Sequence, residues 1–191
     1  MKERIHQFAL IGSFLPLCWL GMMATHELGH VVSGYLTGGT VTKVVIHPLS
    51  ISRTDVNPNP TPLVVVWADP VCGIAIPLVL WSIMAGLRNS ISYLPRFFLG
   101  FCLIANGAYL GIGSFDSIGD AGQMLQNGSP IWTLWLFGII AVPFSFLCWH
   151  HLGPNFGLVE KRGQVDDRAA HLSMILLAIF LATSFVLSPR T

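Results

Sequence analysis

The stretch QFALIGSFLPLCWLGMMATHELGH, residues 7–30, sets the architecture that the rest of the chain follows. From Gln7 to Thr25 it contains no Asp, Glu, Lys or Arg, and about 20 apolar residues in a helix span the hydrocarbon core of a bilayer. Helical character should continue to about Leu36, although ionisable residues interrupt the apolarity from His26 onwards. The apolar stretch is longer than the core of a usual signal peptide and lacks a small-residue cleavage site. We therefore expect a membrane helix that stays in the mature protein.

Four further stretches are apolar and long enough to cross a bilayer. They run from about Pro62 to Leu87, from Phe97 to Phe115, from Ile131 to Trp149 and from Ala169 to Leu187. Only 10% of the 191 residues are charged, against roughly 25% in soluble domains, and 53% are hydrophobic. The sequence predicts an all-α polytopic membrane protein with about five to six transmembrane helices. Its location would be an integral, multi-pass one, in the cell membrane if the protein is bacterial.

A short β-hairpin is expected directly after the first helix. The segment from Thr40 to His47 is rich in β-branched residues, which favour strands. Residues Ser50 to Thr54 can supply the returning strand, before the turn-forming sequence Asn57-Pro-Asn-Pro60.

The domain organisation and net charge limit the classes of partner. The chain has no internal repeat or separate soluble domain, so we expect one integral membrane domain over 1–191, with a core over 8–125 and additional helices over 131–187. The formal net charge is +1, which offers no basic surface for a phosphate backbone. The expected partners therefore include the lipid bilayer and exclude nucleic acid.

His26-Glu-Leu-Gly-His30 is an H-E-x-x-H pattern towards the end of the first span. Residues four apart on a helix lie about one turn apart on the same face, so both imidazoles can bind one Zn²⁺. Glu27 lies between them and can act as a general base that takes a proton from the attacking water. Ionisable residues inside a span are costly and are seldom retained without a partner or function. The pattern therefore predicts a metal site with Glu27 as its catalytic residue.

A third metal ligand must come from elsewhere, because catalytic zinc sites usually have three protein ligands. After the third span, residues 111–122 supply Asp116 and Asp120 among small residues. The chain crosses twice more after the first span, so this loop returns to the membrane face near His30. His47 in the hairpin is expected on that face too. The residues alone leave these candidates open.

Four motifs together resemble the site-2 protease family of intramembrane zinc metalloproteases. They are His26-Glu-Leu-Gly-His30, Gly34-Tyr-Leu-Thr-Gly-Gly39, Ala68-Asp-Pro-Val-Cys-Gly73 and Gly119-Asp-Ala-Gly122. The resemblance implies one Zn²⁺ per chain held by His26, His30 and Asp120, with Glu27 activating water; Asp116 remains the rival of Asp120. It also implies that the hairpin helps to hold an unwound substrate segment.

The leading functional expectation is an intramembrane zinc metalloprotease that hydrolyses peptide bonds within or next to the bilayer. Its substrate would be a transmembrane or membrane-tethered protein. The alternatives are a catalytically silent relative that binds membrane segments as a chaperone or regulator, and a metal or proton transporter with a relay of His and Asp groups. Glu27 favours the protease, because binding alone requires no general base.

Several other polar residues have structural interpretations. Asp69 could be a substrate or metal contact near the same membrane face, but Asp69 followed by Pro70 is typical of an N-cap and N1 pair at a helix start, which is the interpretation we favour. Asn106 lies inside a span, where it can stabilise an oxyanion or make an interhelical hydrogen bond. His150 and His151 follow a span and are expected at the interface with water.

Overall fold

The computed structural model describes residues 2–161 and 163–187, and within these ranges it contains six α-helices and one two-stranded sheet. The helices are α1 (Lys2–Leu36), α2 (Pro62–Gly86), α3 (Tyr93–Asp116), α4 (Gly119–Gln126), α5 (Ile131–Trp149) and α6 (Asp167–Leu187). The strands are β1 (Val41–Val45) and β2 (Arg53–Val56), and two short 3₁₀ turns, Gly153–Phe156 and Val159–Lys161, precede α6.

Five of the described helices are long and apolar enough to cross a membrane. They are α1, α2, α3, α5 and α6, whereas α4 has only 8 residues. Large apolar side chains such as Ile139, Phe144 and Ile175 are exposed on their outer faces, as expected for helices that face lipid. The predicted helical architecture, with five candidate spans and a short hairpin after the first helix, is confirmed.

The helix bundle places α1 between α2 and α6, while α3 packs against α2 and α5. At one end, α1 contributes Leu10, Phe14 and Cys18 to a buried cluster with the start of α3 and with Ala169 and Ala170 of α6. This packing fixes the N-terminal half of α1. It leaves the half that carries the H-E-x-x-H pattern in contact with α2 and the hairpin.

A second buried cluster holds α4 against the bundle. Ala121 and Met124 of α4 pack on Val66 of α2, Leu110 of α3 and Leu134 of α5, and all five are at most 1% exposed. A helix of two turns has little stability of its own, so tertiary packing must determine its position. The position of this short helix is therefore fixed by contacts with α2, α3 and α5.

The hairpin packs on the C-terminal end of α1. β1 and β2 are antiparallel, with Val45 opposite Arg53 and Val41 opposite Val56. β2 begins at Arg53 and extends to Val56, later than the predicted return over residues 50–54, because residues 48–50 form the turn. A Cβ atom at Gly39 would lie 2.9 Å from a methyl carbon of Val56, so glycine permits this close contact.

Candidate metal centre

α1 presents the two histidines of the H-E-x-x-H pattern on one face. Their ring centroids are 6.0 Å apart, and the rings are nearly perpendicular. His30 is buried and His26 is almost so. Both Nε2 atoms face the same group of carboxylates, so the helical period alone explains how the pair converges.

Asp120 reaches the histidines from the first turn of α4. Its Oδ2 lies 2.9 Å from His26 Nε2, and its Oδ1 lies 3.7 Å from His30 Nε2. The backbone N–H of Asp120 donates a hydrogen bond to the hydroxyl of Tyr109, which holds the start of α4 against α3. Burial alone would raise the pKa of Asp120. The hydrogen bond with His26 and the proximity of His30 outweigh burial, and the pKa lies well below its usual range.

Asp69 completes the group, and its predicted role as a helix cap is wrong. α2 begins at Pro62, so Asp69 and Pro70 lie inside the helix. Asp69 is fully buried; its Oδ2 contacts His30 Nε2 and lies 3.8 Å from His26 Nε2. Pro62, not Pro70, occupies the first turn, where a missing N–H costs nothing.

Gly29 explains why Asp69 comes so close to His30. A Cβ atom at Gly29 would lie 2.6 Å from the carbonyl oxygen of Ala68 and 2.6 Å from Cα of Asp69. The backbones of α1 and α2 therefore approach at the level of the H-E-x-x-H pattern only because residue 29 has no side chain.

These four side chains, together the candidate metal-binding group, could hold one metal ion. One ligand atom from each of His26, His30, Asp69 and Asp120 lies within 4.8 Å of the other three. In a tetrahedral shell with bonds of about 2.0–2.2 Å, ligand atoms are about 3.4 Å apart; three of the four His–Asp separations, 2.9, 3.7 and 3.8 Å, bracket that value, and the fourth pair, His30 and Asp69, is in closer contact. Imidazole nitrogen and carboxylate oxygen are both ordinary zinc ligands, so the residues fit this ion.

Asn106 orients the ring of His26. Its amide nitrogen donates to the carbonyl oxygen of Cys102 at 2.8 Å, so its Oδ1 faces His26 Nδ1 at 3.0 Å. Nδ1 must then carry a proton, so Nε2, the nitrogen that faces the carboxylates, is the one that could bind a metal. Of the two roles predicted for Asn106, the interhelical hydrogen bond is present, and it joins α3 to His26 of α1. Nδ1 of His30 is buried and has no hydrogen-bond partner among the described residues.

Glu27 lies beside this group without belonging to it. Its side chain is 2% exposed, and its Oε2 has no hydrogen-bond partner in the part of the chain that the structure describes. A buried carboxylate oxygen without a donor is costly unless it serves a function. Without a donor, this buried oxygen remains able to accept a proton.

The remaining sequence candidates lie elsewhere. Asp116, the rival third ligand, is exposed at the end of α3 and is outside the metal-binding group. The ring of His47 makes an edge-to-face contact with Phe185, with ring centroids 5.3 Å apart. Its Nδ1 accepts a hydrogen bond from the backbone N–H of Leu49. His150 and His151 are exposed after α5, as expected for interface residues.

A cavity of about 230 Å³ opens beside His30. β2 forms one wall with residues 54–56, α2 forms another with Val65 and Val66, and Gln123 of α4 contributes a polar group. The lining is mostly polar, although the cavity lies next to apolar helices. His30 is therefore the one candidate ligand that lines this polar cavity.

No protein-family model, no curated protein and no solved structure matches this chain. What the protein does must therefore be inferred from its own side chains. Of the sequence-predicted site, the structure brings together His26, His30 and Asp120, with Glu27 beside them. It adds Asp69, which the sequence interpretation had assigned to a helix start. The signal that identifies it is an ionisable residue seven positions inside an otherwise apolar span.

Proposed function

We propose that the protein is an intramembrane zinc metalloprotease, similar to the site-2 protease family, that hydrolyses peptide bonds of membrane proteins. The observation that carries the proposal is the convergence of His26, His30 and Asp120 inside a bundle of apolar helices, with the buried carboxylate of Glu27 next to His26. An ionisable group of this size is costly in a bilayer and marks a functional site by default.

The residues divide the chemistry between them. His26 and His30 would hold Zn²⁺ through Nε2, and Asp120 would hold it through a carboxylate oxygen. A zinc ion held there would supply Lewis acidity, which would polarise the scissile carbonyl and lower the pKa of water to about 7. Glu27 takes that proton and passes it to the nitrogen of the leaving amine. Asn106 keeps the ring of His26 in the orientation that this requires.

The cavity beside His30 suits an extended segment of a transmembrane or membrane-tethered substrate. Its wall includes β2, whose backbone can pair with an unwound chain, as in other cases of strand addition. A peptide bond inside a helix is protected by its own hydrogen bonds, so a substrate has to unwind before its carbonyl becomes accessible. The polar lining supports the entry of water that hydrolysis needs.

Glu27→Gln tests the proposal directly. The purified protein would be loaded with zinc in liposomes and given a panel of fluorophore–quencher transmembrane peptides with helix-destabilising centres. We expect wild type to cleave members of the panel, and Glu27→Gln to retain zinc but lose about 10²–10⁴-fold in rate, the usual contribution of a general base. Asp116→Asn is the matched control, because this carboxylate lies outside the site. Equal cleavage by wild type and Glu27→Gln would contradict the role of Glu27.

A catalytically silent relative that binds membrane segments is the second candidate. The presence of four candidate ligands favours it, because structural zinc sites have four protein ligands whereas catalytic ones usually have three. Zinc-loaded wild type that captures the peptides of the panel and cleaves none would support this candidate over the protease.

A further inference from the structure

We propose that Asp69 is a fourth protein ligand, so that the bound metal has no free coordination position until Asp69 withdraws. The inference rests on the proposed metal site but not on proteolysis. Asp69 Oδ2 contacts His30 Nε2 and is 3.8 Å from His26 Nε2, so it approaches the two imidazoles as closely as Asp120 does.

The burial of Asp69 leaves it no alternative partner. Its side chain is 0% exposed, and outside the metal-binding group neither carboxylate oxygen has a hydrogen-bond donor in the described ranges. No described Lys or Arg pairs with it either. An ionised carboxylate in such surroundings needs a cation or must take up a proton.

Charge balance favours the fourth ligand. Two neutral imidazoles, two carboxylates and one divalent ion sum to zero net charge. With Asp120 alone as the carboxylate ligand, the ion and its ligands would carry +1 and the nearby Asp69 would carry −1, separated inside apolar helices. Such separated charges are costly where the effective dielectric constant is low, and direct coordination by Asp69 removes the separation.

The backbone fixes Asp69 in this position. Gly29 lets α1 approach Cα of Asp69 to a distance at which any side chain on residue 29 would collide. The contact fixes the backbone of Asp69 beside α1, so withdrawal of this backbone requires a local movement of α2. Pro70 supplies a weak point there, because it removes the N–H that would bind the carbonyl oxygen of Val66.

The consequence is a site that is closed at rest. Water and a substrate carbonyl need a position that Asp69 occupies, so displacement of Asp69 would precede catalysis. The cavity beside His30 is the side from which that displacement would come.

Cobalt substitution tests this coordination without measuring proteolysis. The purified full-length protein would be loaded with Co²⁺, and its visible absorption would be recorded with and without azide. Dissociation constants would come from competition with a metal chelator. The variants are Asp69→Asn and Asp69→Ala, with Asp116→Asn as a control and with His26→Ala and Asp120→Asn as variants of the other ligands. A thermal melt would confirm that each variant is folded.

We expect azide to leave the spectrum of wild type and Asp116→Asn unchanged, and to change that of Asp69→Ala, where the fourth position is open. Loss of a group that only orients a ligand lowers metal affinity about 10–100-fold. Loss of a ligand should cost more, so both Asp69 variants should bind Co²⁺ more than about 100-fold more weakly than wild type.

Three results would overturn the inference. The first is an azide response in wild type equal to that of Asp69→Ala. The second is that both Asp69 variants bind Co²⁺ with the affinity and absorption spectrum of wild type, while His26→Ala and Asp120→Asn no longer bind it. This result would leave the proposed function intact. The third is failure of wild type to bind Co²⁺ or Zn²⁺, which would remove the proposed function as well.

Discussion

At the scale of single residues, Asn106 decides which nitrogen of His26 is available to a metal. Its two hydrogen bonds, to the carbonyl of Cys102 and to His26 Nδ1, use both ends of the amide. The arrangement leaves one tautomer of His26 and one ring orientation. The affinity of the site should therefore depend on a residue that is not itself a ligand.

Asn106→Leu should weaken zinc binding by about 10–100-fold, because the ring of His26 loses the partner that orients it. Leucine keeps the branched shape of the asparagine side chain but replaces its oxygen and nitrogen with two methyl groups, which cannot hydrogen-bond. Competition with a chelator measures the loss. Asn127→Leu, at an exposed amide on the end of α4, should bind zinc as wild type does. Equal affinity in the two variants would show that Asn106 does not orient His26.

Part of the candidate metal-binding group could be named from the sequence, for reasons that differ between residues. His26, Glu27 and His30 follow from the helical period, which is a local property of the chain. The choice of Asp120 over Asp116 required the family resemblance. Counting the membrane crossings shows on which side of the membrane the loop lies, but it does not show which of its two carboxylates reaches the histidines. Asp69 was misassigned because Asp-Pro is typical of a helix start, although the apolar stretch begins at Pro62.

At the scale of secondary-structure elements, the contact between α1 and α2 controls the site. A methyl group at Gly29 would lie 2.6 Å from the backbone of α2, closer than any Cβ can remain. The two helices would have to separate there, and Asp69 would move away from His30 with them.

Gly29→Ala should therefore lower both stability and metal affinity. We expect a loss of about 1–3 kcal/mol in the free energy of unfolding, as for other overpacked contacts, and a measurable fall in zinc affinity. Thermal unfolding in detergent and chelator competition report the two effects. Gly12→Ala is a control in the same helix, because its added methyl group meets nothing within 4 Å. If Gly29→Ala behaved as Gly12→Ala does, the close approach would have no energetic importance.

The existence of each element was easier to predict than its ends. Long apolar stretches identify spans by composition, and the five predicted ones all appear as helices. β2 instead begins at Arg53, because turn geometry and packing against α1 determine where pairing starts. Such contacts between distant residues are not encoded in local propensity.

At the scale of the whole molecule, the metal-binding group joins three parts of the chain that are distant in sequence. His26 and His30 come from α1, Asp69 from α2 and Asp120 from α4. Without an ion, two buried carboxylates lie close together and repel each other. Metal binding should therefore stabilise the packing of these helices as well as the site.

Removal of zinc should lower the melting temperature of the wild-type protein. At a free zinc concentration 100 times the dissociation constant, the ion contributes about 2.7 kcal/mol to stability by mass action. Thermal unfolding with and without a chelator measures the difference, and added zinc should restore it. His26→Ala should show little response to the chelator. A melting temperature of wild type that is independent of zinc would contradict binding to the folded state.

The packing of α4 determines how short a working form of this protein can be. Ala121 and Met124 rest on Leu134 of α5, a helix that contributes no residue to the site. A chain that stopped at residue 125 would keep every proposed ligand and the general base, yet it would lack one of the surfaces that hold Asp120 in position. We therefore expect the smallest unit that keeps Asp120 beside His26 and His30 to include α5. Changes on the inner face of that helix can alter metal affinity without touching a ligand.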